Sequence, residues 1–328
     1  MTIPVANWRR TIRALLTRGR PEFASTISLV ACTLLALGSI VLGVIQRSLI
    51  MQTNGYIALI DIGNSLLFLA AVQRSSRQAD VTFNYGYGKY ESLAILVSAN
   101  LLIVLTIFTL GEAFSFARRP PVDVNSLILA GWAVLSFVVM RYTARLLERY
   151  ASRFHMPMLR YDAELWRADS WMELGVLSGI GISAALRTID RTDIAAILDI
   201  VASIVLLLVT LRVPLKHGRE AFRQLLDRTL PDEAQYEILA IIAENVRNMC
   251  AFNSVHTRQS GRDIFIEIDL VMPFDYTLRE LYELERSILD SLRAKFPTAI
   301  PRVYVTPCDG SCEHDGTSTC PIKTLRSI

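Results

Sequence analysis

The chain has little net charge and few cysteines, and no stretch of it reads as a cleavable leader. Its 34 Lys and Arg stand against 31 Asp and Glu, and a formal charge of +3 is too small to hold nucleic acid. Five cysteines do not make an extracellular disulfide framework, since Cys308, Cys312 and Cys320 all fall in the last stretch of the chain. The N-terminus is basic (Arg9, Arg10, Arg13, Arg18, Arg20). The apolar block behind it, 24–46, is too long for a signal-peptide core and has no small-residue cleavage site. It is expected to remain as a membrane span.

What the chain does have is apolar sequence in long runs. Over 328 residues it is 52% hydrophobic with a mean hydropathy of +0.36. The apolar runs are concentrated before about residue 215, and the rest reads as ordinary globular sequence. A span needs roughly 20 mostly apolar residues, and 24–46, 55–73, 92–117, 125–148, 163–186 and 193–214 qualify. The second is interrupted by Asp61, Asn64 and Ser65, and the fifth by Asp169 and Glu173. Positive charge sets the orientation. One set of segments, 1–23, 74–91 and 149–162, carries Arg74, Arg77, Lys89, Arg149, Arg153 and Arg160 besides the N-terminal arginines, and Arg141 and Arg145 lie on the adjoining end of span four. The opposite set holds Arg47, Arg118, Arg119, Arg187 and Arg191. Both termini are therefore expected in the cytoplasm.

Beyond residue 215 the periodicity changes. Residues 232–248 and 277–296 repeat apolar positions at helical spacing, and 263–271 (DIFIEIDLV) alternates like a strand. Strands are expected at 251–258 and 299–306 as well. The order helix, strand, strand, helix, strand suits a small α+β domain with its helices on one face of a sheet. The domain plan is a basic N-terminus at 1–23, a six-helix membrane bundle at 24–214, the α+β domain at 215–308 and a cysteine-containing tail at 309–328.

Acidic groups inside spans are costly, roughly 2.5–3.5 kcal/mol each at a helix centre, and mark pathways by default. Asn64 and Ser65 lie three and four residues after Asp61, and Glu173 lies four after Asp169, so each set shares a helix face. Two oxygen-rich faces, Asp61–Asn64–Ser65 and Asp169–Glu173, could meet around a cation. Oxygen ligands favour hard ions such as Mn²⁺ or Mg²⁺ over zinc. The alternative is a set of polar helix–helix contacts, or acids neutralised by protonation. In the tail, Cys308, Cys312, His314 and Cys320 have the number and softness of ligands for Zn²⁺ or Cu(I). The competing reading is an unliganded tail with reduced thiols. His256 reads as a surface or interface histidine, and His155 and His217 as interfacial residues flanking spans.

The stretch DIGNSLLFLAAVQRSSRQADVTFNYGYGKYESLA, from Asp61 to Ala94, resembles the second and third helices of cation diffusion facilitators and their connecting loop. LLDRTLPDE at 225–233 and TRQSG at 257–261 extend the resemblance over nearly the whole chain. It implies six transmembrane helices, a cytoplasmic ferredoxin-like (metallochaperone-like) domain, a homodimer, and export of divalent metal against protons, here from a bacterial inner membrane. Mn, Fe, Mg and Zn are all compatible cargoes, and no enzyme activity is implied. The resemblance also implies a transport site of two residue pairs on helices two and five. Asp61 and Asp169 occupy the second position of each pair, while Ile57 and Leu165 occupy the first and cannot bind metal. In the loop between helices two and three Asp80 is kept, but Phe83 and Tyr87 stand where histidines are usual. Asn253, Asp269, Tyr304 and Thr306 stand near the usual metal positions of the soluble domain. Lys89 and Asp227 match a charge interlock that holds the dimer together. Three functions follow: a divalent-cation exporter with a shifted acidic site, a non-transporting metal-responsive or scaffold relative, and a monovalent cation/proton exchanger.

Overall fold

The computed structural model describes residues 17, 19–45, 49–116, 126–187, 201, 204–245, 249–273 and 276–308. They form two compact units, Met1–Phe222 and Arg223–Ile328.

The first unit is helical: α1 (Pro21–Ile45), α2 (Leu49–Ser75), α3 (Lys89–Phe116), α4 (Ser126–Phe154), α5 (Pro157–Arg187) and α6 (Arg212–Leu225), with 204–210 also helical. Proline opens α1 and α5, at the position where its missing N–H is no loss and its fixed φ suits the helix. Among the described residues, Pro21–Ile45, Lys89–Gly111 and Leu127–Phe154 are long and apolar enough to cross a membrane. α2 and α5 are as long but carry charged residues within them. Of the expected sixth span, 193–214, residues 193–200, 202 and 203 lie outside the described residues.

The bundle is packed from small residues inside and apolar residues outside. Ala24, Ala31, Ala71, Val72, Ala94, Ala144 and Ala151 are buried with Phe68, Leu147 and Tyr161. Val30, Leu34, Val41, Val104, Ile107 and Val138 point outward and are half or more exposed. Lipid-embedded helices follow this pattern, because acyl chains solvate large side chains and small ones let backbones approach. At Gly38 of α1, the indole of Trp132 on α4 fills the place a Cβ would take.

The expected loop at 149–162 does not exist as one. α4 continues to Phe154 and α5 begins at Pro157, so Arg149, Arg153 and Arg160 lie on helices. His155 turns the chain between them at a left-handed φ of 54°. His217, expected only as a residue flanking a span, is buried, with Nε2 2.9 Å from Glu164 Oε2 and its ring 5.1 Å from that of Tyr161.

The second unit contains α7 (Asp232–Glu244), β1 (Ala251–Ser260), β2 (Asp263–Met272), α8 (Leu278–Lys295) and β3 (Ala299–Pro307). The sheet order is β1-β2-β3, antiparallel between β1 and β2 and parallel between β2 and β3. Gly261, at φ +61°, opens the two-residue turn between β1 and β2, where a residue at the first position must take positive φ. Ile266, Ile268 and Leu270 of β2 are fully buried against Ile238, Ile288 and Leu292 of the two helices. Thr277 and Glu280 form a reciprocal capping box that starts α8.

Candidate functional site

α2 packs on α1 and α3 and also touches α5. Asp61, Asn64 and Ser65 follow one another round a turn of α2. Asp61 is partly exposed, while Asn64 and Ser65 are each 6% exposed. Asn64 Oδ1 is buried without a hydrogen-bond partner. Ser65 interacts with the Cys32 thiol of α1.

On α5 the acidic face is longer than expected. Because the helix begins at Pro157, Asp162, Asp169 and Glu173 align along one side at spacings of seven and four. Asp61, Asp162 and Glu173 are all close enough for their charges to act on Asp169. Asp169 is exposed along its helix and Glu173 is partly so. Asp162 is 4% exposed, its Oδ2 has no partner, and Ser28 and Trp166 reach its carboxylate. Trp166 Nε1 donates to Ser28 Oγ at 2.8 Å, tying α5 to α1 beside it. The sequence places Asp162 in the expected loop 149–162; the i, i+7, i+11 spacing of 162, 169 and 173 is the signal that sets it on α5.

No Lys or Arg among the described residues pairs with Asp61, Asp162, Asp169 or Glu173. Asp169 and the three carboxylates that act on it therefore lie along an apolar bundle with no Lys or Arg among the described residues paired to them. Among the described residues, no three His, Cys, Asp or Glu side chains are gathered as a ready-made metal centre. Leu165, one turn before Asp169, packs against the hydrophobic core. The Ile57 side chain lies outside the described residues.

The loop from 76 to 88 is organised differently. Asp80 Oδ1 accepts the backbone N–H groups of Thr82 (2.9 Å) and Phe83 (2.8 Å), and Oδ2 accepts the Tyr87 hydroxyl at 2.6 Å. The Phe83 and Tyr87 rings lie 4.5 Å apart, Tyr90 stacks behind them, and Arg74 sits 5.9 Å above the Tyr90 ring. Tyr87 first, then the Phe83 and Thr82 amides, hold the Asp80 carboxyl below its usual range. The same bond to Asp80 pushes the Tyr87 hydroxyl up.

In the second unit Asp227, at φ 51°, lies 3.3 Å from Arg258. Lys89 is the first residue of α3. His256 is exposed, with Nε2 3.3 Å from Ser254 Oγ. Asp269, in mid-β2 between Ser254 and Tyr304, keeps Oδ1 buried without a partner. Cys308 is buried, and its N–H donates to Met272 O at 2.8 Å. Cys312, His314 and Cys320 lie outside the described residues.

Residues 25–226 match the cation efflux transmembrane domain, and residues 230–306 match the cytoplasmic domain of cation efflux proteins. The chain belongs to the cation efflux, or cation diffusion facilitator, family. Members of this family are membrane transporters rather than enzymes. Among curated relatives, the cation-efflux pumps FieF of Shigella boydii serotype 18 and of Escherichia coli K12 are each 28% identical over 255 residues, spanning 76% of this chain and 81% of theirs. Two solved chains of CzrB, one in a zinc form, are 27% and 26% identical. They cover 26% and 24% of this chain and 96% and 98% of their own, with TM-scores of 0.24 and 0.23.

Proposed function

We propose that this cation efflux protein exports a divalent cation across a bacterial inner membrane, with six spans, both termini cytoplasmic and a homodimeric assembly. The cation binds between α2 and α5 at Asp61 and Asp169, with Asn64, Ser65 and Glu173 as further oxygen ligands. Protons compete for the same carboxylates and serve as counter-ions. The observation that carries this reading is that Asp61, Asp162 and Glu173 all lie close enough for their charges to act on Asp169, while no Lys or Arg among the described residues pairs with any of the four. Charges so placed need a mobile cation or protons to balance them.

The donors are all oxygen, and few of them converge. A hard ion that keeps part of its water shell, held by one or two carboxylates, suits that set better than a four-coordinate zinc. The exposure of Asp169 and Asp61 leaves room for those waters. Lys89 and Asp227 are proposed to brace the dimer, and Cys308, Cys312, His314 and Cys320 to form a soft-metal site in the tail that regulates rather than transports.

Two observations favour the second reading, a non-transporting relative. Leu165 is packed into the core where a ligand is usual, and Asp80 is fully engaged by the loop. Flux of Mn²⁺, Mg²⁺, Fe²⁺ and Zn²⁺ into proteoliposomes, with and without a pH gradient, separates the readings. The exporter moves at least one of them, faster with opposing protons, and Asp61→Asn plus Asp169→Asn abolishes it. A wild type indistinguishable from that double variant sinks the transporter reading. Flux of Na⁺ in place of divalent ions would instead favour the monovalent exchanger.

A further inference from the structure

On the C-terminal half of α4, Arg141, Arg145 and Arg149 recur every four residues and climb one face of the helix. With Arg167 of α5 they line a cavity of about 400 Å³, whose wall is completed by Ala144 and Glu148. Glu148 is turned to Arg167, Oε2 to Nη2 at 2.7 Å. Among the described residues, no carboxylate pairs with Arg141, Arg145 or Arg149. Four guanidiniums thus face a single carboxylate. Like charges four residues apart on a helix repel, and an anion in the cavity would turn that repulsion into attraction.

The position of the cavity says which anion. Residues 126–140 carry no charge, and Arg141 is the first charged residue after that run. Val134, Leu135 and Val138, just before it on α4, are half exposed or more. Near the C-terminal end of the same helix Tyr150 lies 6.0 Å from both Phe23 and Phe154, and Arg153 sits 5.5 Å above the Phe154 ring. Aromatic and arginine side chains collect at the level of lipid headgroups, with arginine stems running along the apolar surface. The cavity therefore opens where α4 passes from acyl chains to headgroups. Guanidinium forks match phosphate oxygens in pairs.

We propose that Arg141, Arg145, Arg149 and Arg167 form a binding site for the phosphodiester headgroup of an anionic phospholipid, whose acyl chains lie along the apolar face of α4. The site is separate from Asp61 and Asp169 and does not depend on what the protein transports.

Native mass spectrometry and thermal unfolding of the full-length protein in detergent test this directly. Phosphatidylglycerol, phosphatidylcholine and inorganic phosphate are each added at equal concentration. The site predicts selective retention of phosphatidylglycerol and a matching rise in Tm, with no effect of inorganic phosphate. Each Arg→Gln change at 141, 145 or 149 should lower the preference by about fivefold, the effect of one basic residue at a membrane surface. Equal retention of the two lipids by the wild type would overturn the proposal and leave the arginines a role in topology alone. So would a triple variant that keeps the preference, or a phosphate response equal to the lipid response. If the triple variant does not fold, Arg145→Gln and Arg145→Lys are compared. Loss in the first with partial retention in the second supports the site, and wild-type behaviour in both overturns it.

Discussion

Asp80, in the loop before α3, and Asp169, in the middle of α5, are both carboxylates that the family resemblance marks as metal positions, and their surroundings are opposite. Asp80 receives two backbone amides and a tyrosine hydroxyl within 2.9 Å, and Arg77 adds to the field around it. Asp169 has no donor of that kind. The charges of Asp61, Asp162 and Glu173 act on it, and no basic side chain among the described residues pairs with it. A carboxylate whose hydrogen bonds are met by its own chain has no need of a ligand, and the loop is shaped around it. A set of carboxylates in an apolar medium with no basic partner among the described residues needs a cation or a proton. Both positions keep an aspartate, yet only the one in the bundle is left available.

The largest expected effect follows from that difference. Asp169→Asn, or Asp61→Asn, should reduce divalent-ion flux in proteoliposomes to the level of protein-free vesicles, while Asp80→Asn leaves it near wild type. Equal losses from both would erase the distinction between the two positions. Next in size is Leu165→His. It places an imidazole one turn from Asp169, at a side chain that now packs on the core. The expected result is a shift of ion preference toward Zn²⁺ in competition assays, because nitrogen ligation favours zinc. An unchanged preference would mean that residue 165 does not face the bound ion.

Smaller effects belong to the loop. Tyr87→Phe removes the hydroxyl bound to Asp80 Oδ2, and limited proteolysis between 76 and 88 should then accelerate while flux changes little. A loop cut no faster than wild type would deny Tyr87 its role as the clasp. The least effect is expected from pH. Asp80 is held below its usual range, so its bonds contribute fully above the unfolded carboxylate value of about 3.9 and are lost as pH falls through the lower folded value. Tyr87 is pushed up, so its contribution is complete below the unfolded value of about 10 and is lost as pH rises through the higher folded one. Amide exchange of Thr82 and Phe83, corrected for intrinsic rates, should show steady protection between those limits and a loss beyond either. A change in protection near neutral pH would point to another group.

Much of this was legible in the sequence, and the rest was hidden for identifiable reasons. The apolar runs located α1, α3 and α4, and period-two alternation located β2, because both patterns record which faces avoid water. The strand and helix order of the second unit also follows from periodicity. The junction of α4 and α5 was misread: Arg149, Arg153 and Arg160 look like loop residues, but helices carry basic groups past the membrane edge. That error moved Asp162 outside α5 and hid the fourth carboxylate. The Asp80–Tyr87 clasp was illegible because the resemblance drew attention to the missing histidines, and nothing in the spacing announces that a tyrosine seven residues on will fold back. The burial of His217 depends on α6 reaching Glu164 and Tyr161 of α5, a contact between segments about 50 residues apart that no local pattern encodes.

The contrast between Asp169 and Asp80 can be read in one experiment. Crystals of the full-length protein equilibrated with Mn²⁺ and measured at the manganese edge should show an anomalous peak between Asp61 and Asp169 and none at Asp80. A peak at Asp80, or a blank between α2 and α5 at concentrations that support flux, would contradict the account.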